Sequence, residues 1–248
     1  MKRFVAMIIF MVMVLLMPHM LLAKDVPNID PAAIEILSRM SEILGGARQF
    51  SVHNEATSDE PTKRGGLVQL SITVDILFRR PDGLRAVVRG DMGLLEYWYD
   101  GRQIAFMDVS RMTYAVAPVP RKIDDAIDHV FEKFGITIPL ADFLASNPYQ
   151  ILTKNVEYGY YVGLHNVNGI ACHHLAFVQD DIDWQIWIED GPLPLPRKFI
   201  ITYKQEEGHP QYTALLTEWN LFPGLHDSVF KFVPPSWGEE IEFAETQK

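Results

Sequence analysis

Residues 180–203 constrain the fold more than any other stretch, because they spell a strand, a stiff turn and a returning strand. Trp184, Ile186 and Ile188 fall on one face of the first strand, and Asp183, Gln185 and Glu189 on the other, with Trp187 as its one apolar member. A repeat of two serves only extended backbone, in which successive side chains point to opposite faces. Pro192, Pro194 and Pro196 then fix the turn, and Lys198 to Lys204 returns. This is part of a sheet built from hairpins, with one face that must be covered.

The same alternation runs through most of the chain. From Leu67 to Phe78, Leu70, Ile72, Val74, Ile76 and Phe78 oppose Gln69, Ser71, Thr73 and Asp75. Arg79 to Gly83 supplies a turn, and Leu84 to Arg89 returns. Leu94–Tyr99 and Gln103–Asp108 flank Asp100-Gly101, a pair that readily takes the positive φ angles of a tight hairpin. Further strands are expected at Gln49–Glu55, Met112–Ala117, Tyr158–Val167, Ile170–Gln179 and Gln211–Phe222, with Asn168-Gly169 as another turn.

Helical periodicity appears in two places. Asp30-Pro31, the stripe Ile34, Leu37, Met40 and Leu44, and Gly45-Gly46 give a cap, a first-turn proline, an apolar face and a stop. Between Arg121 and Leu152, Ile123, Ile127, Val130, Phe131 and Phe134 recur at helical spacing, and shorter helical pieces follow at Pro139–Ala145 and from Asn147-Pro148. The fold class is therefore α+β, mainly β: a strongly curved antiparallel half-barrel of about eleven strands, with an N-terminal helix and a helical lid. A sandwich is the alternative. Such a sheet leaves an inner face that water should not wet, and the inserted helices are its natural cover.

Met1-Lys2-Arg3, the apolar run Phe4 to Met17 and the small Ala23 have the form of a secretory signal peptide spanning residues 1–23. The run falls short of the roughly 20 residues of a membrane span, so residues 24–248 are expected as one domain and not as an integral membrane protein. Lys24 stands where a lipid-modified cysteine would follow the cut. The net charge of −10 becomes more negative once Lys2 and Arg3 are removed, which disfavours nucleic acid and anionic lipid surfaces. Cys172 is the only cysteine, so no intramolecular disulfide forms, and its thiol reads as a small buried apolar group.

Cys172-His173-His174 has residue types that suit zinc or copper. Neighbours on a strand point to opposite faces, however, so the two imidazoles read as satisfied or exposed strand residues. Asp180, Asp181 and Asp183 lack the spacing and glycine of a calcium loop and read as a solvated acidic turn. No nucleophile elbow, zinc-protease helix, phosphate loop or dinucleotide fingerprint occurs in the sequence. Neither an enzyme, a cofactor nor a metal is expected.

Phe78 to Leu84, Asp100 to Phe106, Ile138 to Leu144 and Phe230 to Pro235 occur in the order seen in periplasmic lipoprotein carriers of the LolA/LolB type, which the chain resembles over nearly all of residues 24–248. The 184–203 hairpin and the stretch from Pro210 to Trp219 resemble more closely a group of predicted periplasmic proteins of unassigned function in the same superfamily. The resemblance implies periplasmic localisation and an apolar cavity for a lipid, an acyl chain or another hydrophobic small molecule. It also implies a latch role for Arg80, whose counterpart in the carriers hydrogen-bonds to the lid; a solvated turn residue is the alternative. The expected cavity contacts are Ile72, Val74, Ile76, Ile186 and Ile188 from the strands, with Phe131 and Phe134 from the lid. A monomer that carries a hydrophobic ligand is the expected function, and an envelope protein-interaction module with a filled core is the alternative.

Overall fold

A computed structural model describes residues 28–243, apart from Met92, Thr137 and Pro139. The expected signal peptide, residues 1–23, lies outside the described residues, as does Pro139 of the second expected helical piece. Helix α1 (Pro31–Gly46) begins where the Asp30 carboxylate accepts the Ala32 N–H at 2.9 Å, directly before the first-turn proline. Its buried stripe is Ala33, Leu37, Met40 and Leu44. Ile34, expected in that stripe, lies at its solvent edge at 36% exposure, and the neighbouring Ala33 is buried instead.

Two runs of antiparallel strands follow. The first comprises β1 (Gln49–Pro61), β2 (Leu67–Arg79), β3 (Gly83–Gly90), β4 (Gly93–Tyr99), β5 (Gln103–Asp108) and β6 (Thr113–Pro118). The second comprises β7 (Tyr158–Val167), β8 (Ile170–Val178), β9 (Ile182–Glu189), β10 (Pro196–Tyr203) and β11 (Gln211–Asn220). A short β12 (Glu239–Glu240) pairs parallel with β6. Strand β1 runs past its expected end at Glu55 because its register with β2 continues from Gln49↔Arg79 to Pro61↔Leu67. The result is one open 12-stranded sheet, a strand more than expected.

Strands β1 and β11 pair at the centre of the sheet and join the two runs. This leaves β7 at one edge and β6, flanked only by β12, at the other. The connection from β6 to β7 must therefore travel from edge to edge. It carries α2 (Ile123–Phe134), α3 (Ala141–Leu144) and α4 (Pro148–Thr153). Gly135, at φ 64°, ends α2 in the left-handed conformation that glycine adopts without steric penalty. Asn147 accepts the Gln150 N–H at 3.1 Å to start α4.

Ile123, Ala126, Phe143, Leu144 and Leu152 of this connection enter the same core cluster as α1 and the inward residues of the strands. Helix α1 packs against β7 and β9, whereas the connecting segment covers other parts of the concave face. Trp184, 2% exposed, stacks on Phe177 at 4.1 Å within the core, and Ile186 and Ile188 are fully buried beside it. Trp187 lies on the convex face between the His174 ring, stacked at 3.9 Å, and the Lys198 ammonium at 4.8 Å.

Trp184→Ala should cost about 3–5 kcal/mol, since it removes a large side chain from a packed interior. Val162→Ala on exposed β7 should stay within about 0.5 kcal/mol. Urea unfolding midpoints of the two variants check this, and equal losses would contradict the assignment of faces.

Candidate functional site

Two neighbouring features lie between the connecting segment and the concave face. An inner cavity of about 30 Å³ is walled by Val74 and Ile76 of β2, Leu84, Ala86 and Val88 of β3, Tyr97 and Tyr99 of β4, Ile104 of β5, and Leu144 of α3. A groove of about 360 Å³ opens on the other side, between Ile127, Phe131, Leu140 and Phe143 of the lid and Phe199, Ile201, Tyr203 and Tyr212 of β10 and β11. Ile136 and Ile138 border both, so one stretch of lid separates cavity from groove. The cavity wall carries no charged residue, and the groove wall is mainly apolar, with Asp128 on its border. Burial raises the pKa of the Tyr97 and Tyr212 hydroxyls, which keeps them uncharged. Asp142 also borders the groove; desolvation raises its carboxyl pKa, although part of its surface stays open to water.

The Arg79–Gly83 turn supplies the polar tie to the lid. One terminal nitrogen of Arg80 donates to the Ala145 carbonyl at 2.7 Å and to the Leu44 carbonyl at 3.3 Å, and the other donates to Ser146 Oγ at 3.5 Å. The guanidinium lies over the Phe78 ring at 4.9 Å, so Arg80 touches β2, the end of α1 and the end of α3. Desolvation lowers its pKa against the opposing charge of Asp124, which itself accepts the Ser146 N–H at 2.9 Å. Arg79 turns the other way, pairing with Asp227 at 2.6 Å and lying over Phe230 at 4.7 Å.

The expected cavity residues separate into groups. Val74 and Ile76 line the inner cavity, and Phe131, 59% exposed, borders the groove. Ile72 packs at the margin of the main core. Ile186 and Ile188 are enclosed in the packed core and border neither feature, while Phe134 stacks on Phe243 at 4.8 Å in a second cluster with Ile104 and Val130. Sequence reasoning missed Ile136, Ile138 and Tyr212, which no periodicity singles out. It also missed Asn54, which interrupts the inward series Phe50, Val52 and Ala56 and is fully buried.

His173 and His174 diverge. His173 lies 3.1 Å from both Tyr161 Oη and Asp190 Oδ1. His174 lies 3.0 Å from His165 Nδ1 and 2.9 Å from Gln185 Oε1, and burial lowers its pKa. Burial pushes the Cys172 thiol up to about 11, far from the thiolate a nucleophile or ligand needs. Asp183 pairs with Lys204 at 3.0 Å. Among the described residues, no group of three or more His, Cys, Asp or Glu side chains is placed to hold a metal ion. A larger depression of about 760 Å³ lies at the rim, where α1 ends, but Glu42, Arg48 and Arg79 share its wall with Ile43, Leu193 and Phe222. Unlike the inner cavity, it is therefore bordered by charged side chains of both signs.

Several solved structures are similar to this chain. An uncharacterised conserved protein from Thermus thermophilus aligns at TM-score 0.51 and 10% identity, covering 85% of this chain and 99% of that one. This likeness shows the fold alone. The lipoprotein LppX of Mycobacterium tuberculosis aligns at TM-score 0.48 and 14% identity, covering 77% and 96% of the respective chains. A LolA superfamily protein from Nitrosomonas europaea aligns at TM-score 0.41 and 11% identity, covering 81% and 97%. No curated protein sequence matches the chain. Among the described residues no helix is long and apolar enough to cross a membrane. The profile of DUF2092 matches residues 33–244, so the chain belongs to this family of predicted periplasmic proteins.

Proposed function

We propose that this protein binds and carries a lipid, an acyl chain or another hydrophobic molecule between its sheet and its lid, without catalysing a reaction. The observation that carries the reading is the apolar groove of about 360 Å³ whose lid wall also closes the inner cavity. Its volume falls within the range of roughly 300–1,000 Å³ in which small-molecule sites are built. The inner cavity, at about 30 Å³, has room for about one water molecule. A chain that enters it must displace the Ile136–Ile138 stretch. Export by removal of residues 1–23, and action of 24–248 as one monomeric domain, belong to the same reading.

Arg80 is the proposed latch. Hydrogen bonds from a charged donor contribute about 1.5–3 kcal/mol each, and Arg80 donates to carbonyls on both α1 and the lid. The resting preference is thus for a closed lid, which apolar burial of a ligand, at roughly 25 cal/mol per Å², offsets. The second reading, an envelope protein-interaction module, is favoured by edge strand β7, where Tyr158, Tyr160, Val162 and Leu164 are exposed.

Native mass spectrometry of protein purified from the periplasm, followed by organic extraction, separates the two readings. The carrier reading expects a stoichiometric lipid, and a lipid-free mass with one stoichiometric protein partner would favour the module. Ile138→Asp places a carboxylate on the wall shared by both features and should reduce uptake of a fluorescent fatty acid at least tenfold with an unchanged circular dichroism spectrum. Undiminished uptake would remove the groove from consideration. Arg80→Leu should raise the open population about tenfold or more, read as faster amide exchange over Ala145–Leu152 and brighter fluorescence of an apolar dye. Unchanged exchange would reduce Arg80 to a turn residue.

A further inference from the structure

Asn54 is the polar exception in the packed face between the cavity and the groove: it borders neither, but it bonds to Tyr212 of the groove wall and pairs across the ladder with Val74 of the cavity wall. On β1 it sits opposite Val74 of β2 and Leu216 of β11, both buried and apolar, and is itself 0% exposed. Its Nδ2 donates to Tyr212 Oη at 3.3 Å, and its Oδ1 has no hydrogen-bond partner among the described residues. Turning the amide over exchanges the two atoms and leaves the nitrogen without a partner instead. In either orientation one amide atom is buried and unmatched. Buried polar groups are nearly always paired, because desolvating one without compensation is costly, so this exception calls for a reason.

Its position supplies one. Strand β1 lies between β2, which gives Val74 and Ile76 to the inner cavity, and β11, which gives Tyr212 to the groove. A chain that passes from the groove into the inner cavity has to part the side chains between Tyr212 and Val74, and doing so uncovers Asn54 on the strand between them. The residues bordering groove and cavity include Asp128 and Asp142 but no lysine or arginine. A carboxylate or phosphate at this point would therefore be buried without a counter-charge. A hydroxyl is uncharged, and because it both donates and accepts it matches the Asn54 amide in either orientation.

Resting on the proposed carrier reading, we infer that the ligand bears a hydroxyl group part-way along its hydrocarbon chain and that Asn54, steadied by Tyr212, recognises it. The acidic end of such an amphiphile stays outside the groove. The apolar walls supply affinity common to all chains, and the amide supplies discrimination. Sites that hydrogen-bond a ligand hydroxyl discriminate strongly against the analogue lacking it, because the protein group is then left unpaired.

The test compares octadecanoic acid with hydroxyoctadecanoic acids carrying the hydroxyl near the carboxyl, at mid-chain or near the methyl end, by isothermal titration of the full mature protein. The mid-chain hydroxy acid should bind about tenfold more tightly than octadecanoic acid. Asn54→Leu should abolish that preference while leaving octadecanoic acid binding within about twofold, and Asn54→Ala, which removes the amide without adding bulk, should abolish it as well. Binding of octadecanoic acid with no hydroxyl isomer preferred would overturn this inference and leave the carrier reading standing. A preference that survives in Asn54→Leu or Asn54→Ala would likewise overturn it. Binding of none of the acids would overturn both.

Discussion

The pairing of β1 with β11 governs the rest of the molecule. It joins two antiparallel runs at their middle, and so places β6 and β7, which are consecutive in sequence, near opposite margins of the sheet. A connection of that kind crosses a face of the sheet. Its concave face carries the apolar phase of each strand, so the crossing segment gains burial when it takes the inner route. The margins are handled differently: β12 shields part of β6, whereas among the described residues the outer side of β7 is bridged at Ile29↔Gly159.

Attachment of the crossing segment is polar at its ends and apolar between them. Tyr99 Oη donates to the Pro120 and Arg121 carbonyls at 3.0 and 2.6 Å, which anchors the segment before α2. The Tyr149 N–H donates to Ser41 Oγ at 2.8 Å, and Arg80 holds Ala145, which anchors it from α3 to α4. Between these anchors, Ile136 and Ile138 contribute side-chain packing over the cavity and groove. Packing of this kind is non-directional, so a hydrocarbon chain can replace it at little cost in specific bonds. The directional bonds sit at the two ends of the segment.

Much of the fold was legible because its signals are local. The Asp30 cap, the Asp100-Gly101 hairpin and the opposed faces of Trp184 and Trp187 each follow from residues within a few positions of one another. The extension of β1 through Ser58, Asp59 and Glu60 was not legible, because those polar residues are drawn into the sheet by their partners on β2 and β11. Ala33 is buried in the α1 stripe and Ile34 lies at its solvent edge, a choice that helical spacing alone leaves open. The site was less legible than the fold. An inward phase looks the same in sequence whether it meets a helix or a cavity, and so Ile186 and Val74 appeared equivalent.

What separates them is the element above each. Away from the cavity and groove the core is filled by rings: Phe177 on Trp184 at 4.1 Å, near the strands that α1 covers, and Phe50 between Phe78 at 4.8 Å and Trp219 at 5.4 Å. A helix fixed by its own backbone bonds presents a regular surface that rings of this size can fill to density. The part beneath the crossing segment meets short helices and loop, and its walls mix aliphatic side chains with Phe131, Phe143, Phe199 and several tyrosines. Aliphatic side chains facing irregular backbone pack less completely, and the unfilled space collects there. Asn54 lies between these regions in the strand order, on β1 beside Val74 of the cavity wall and bonded to Tyr212 of the groove wall.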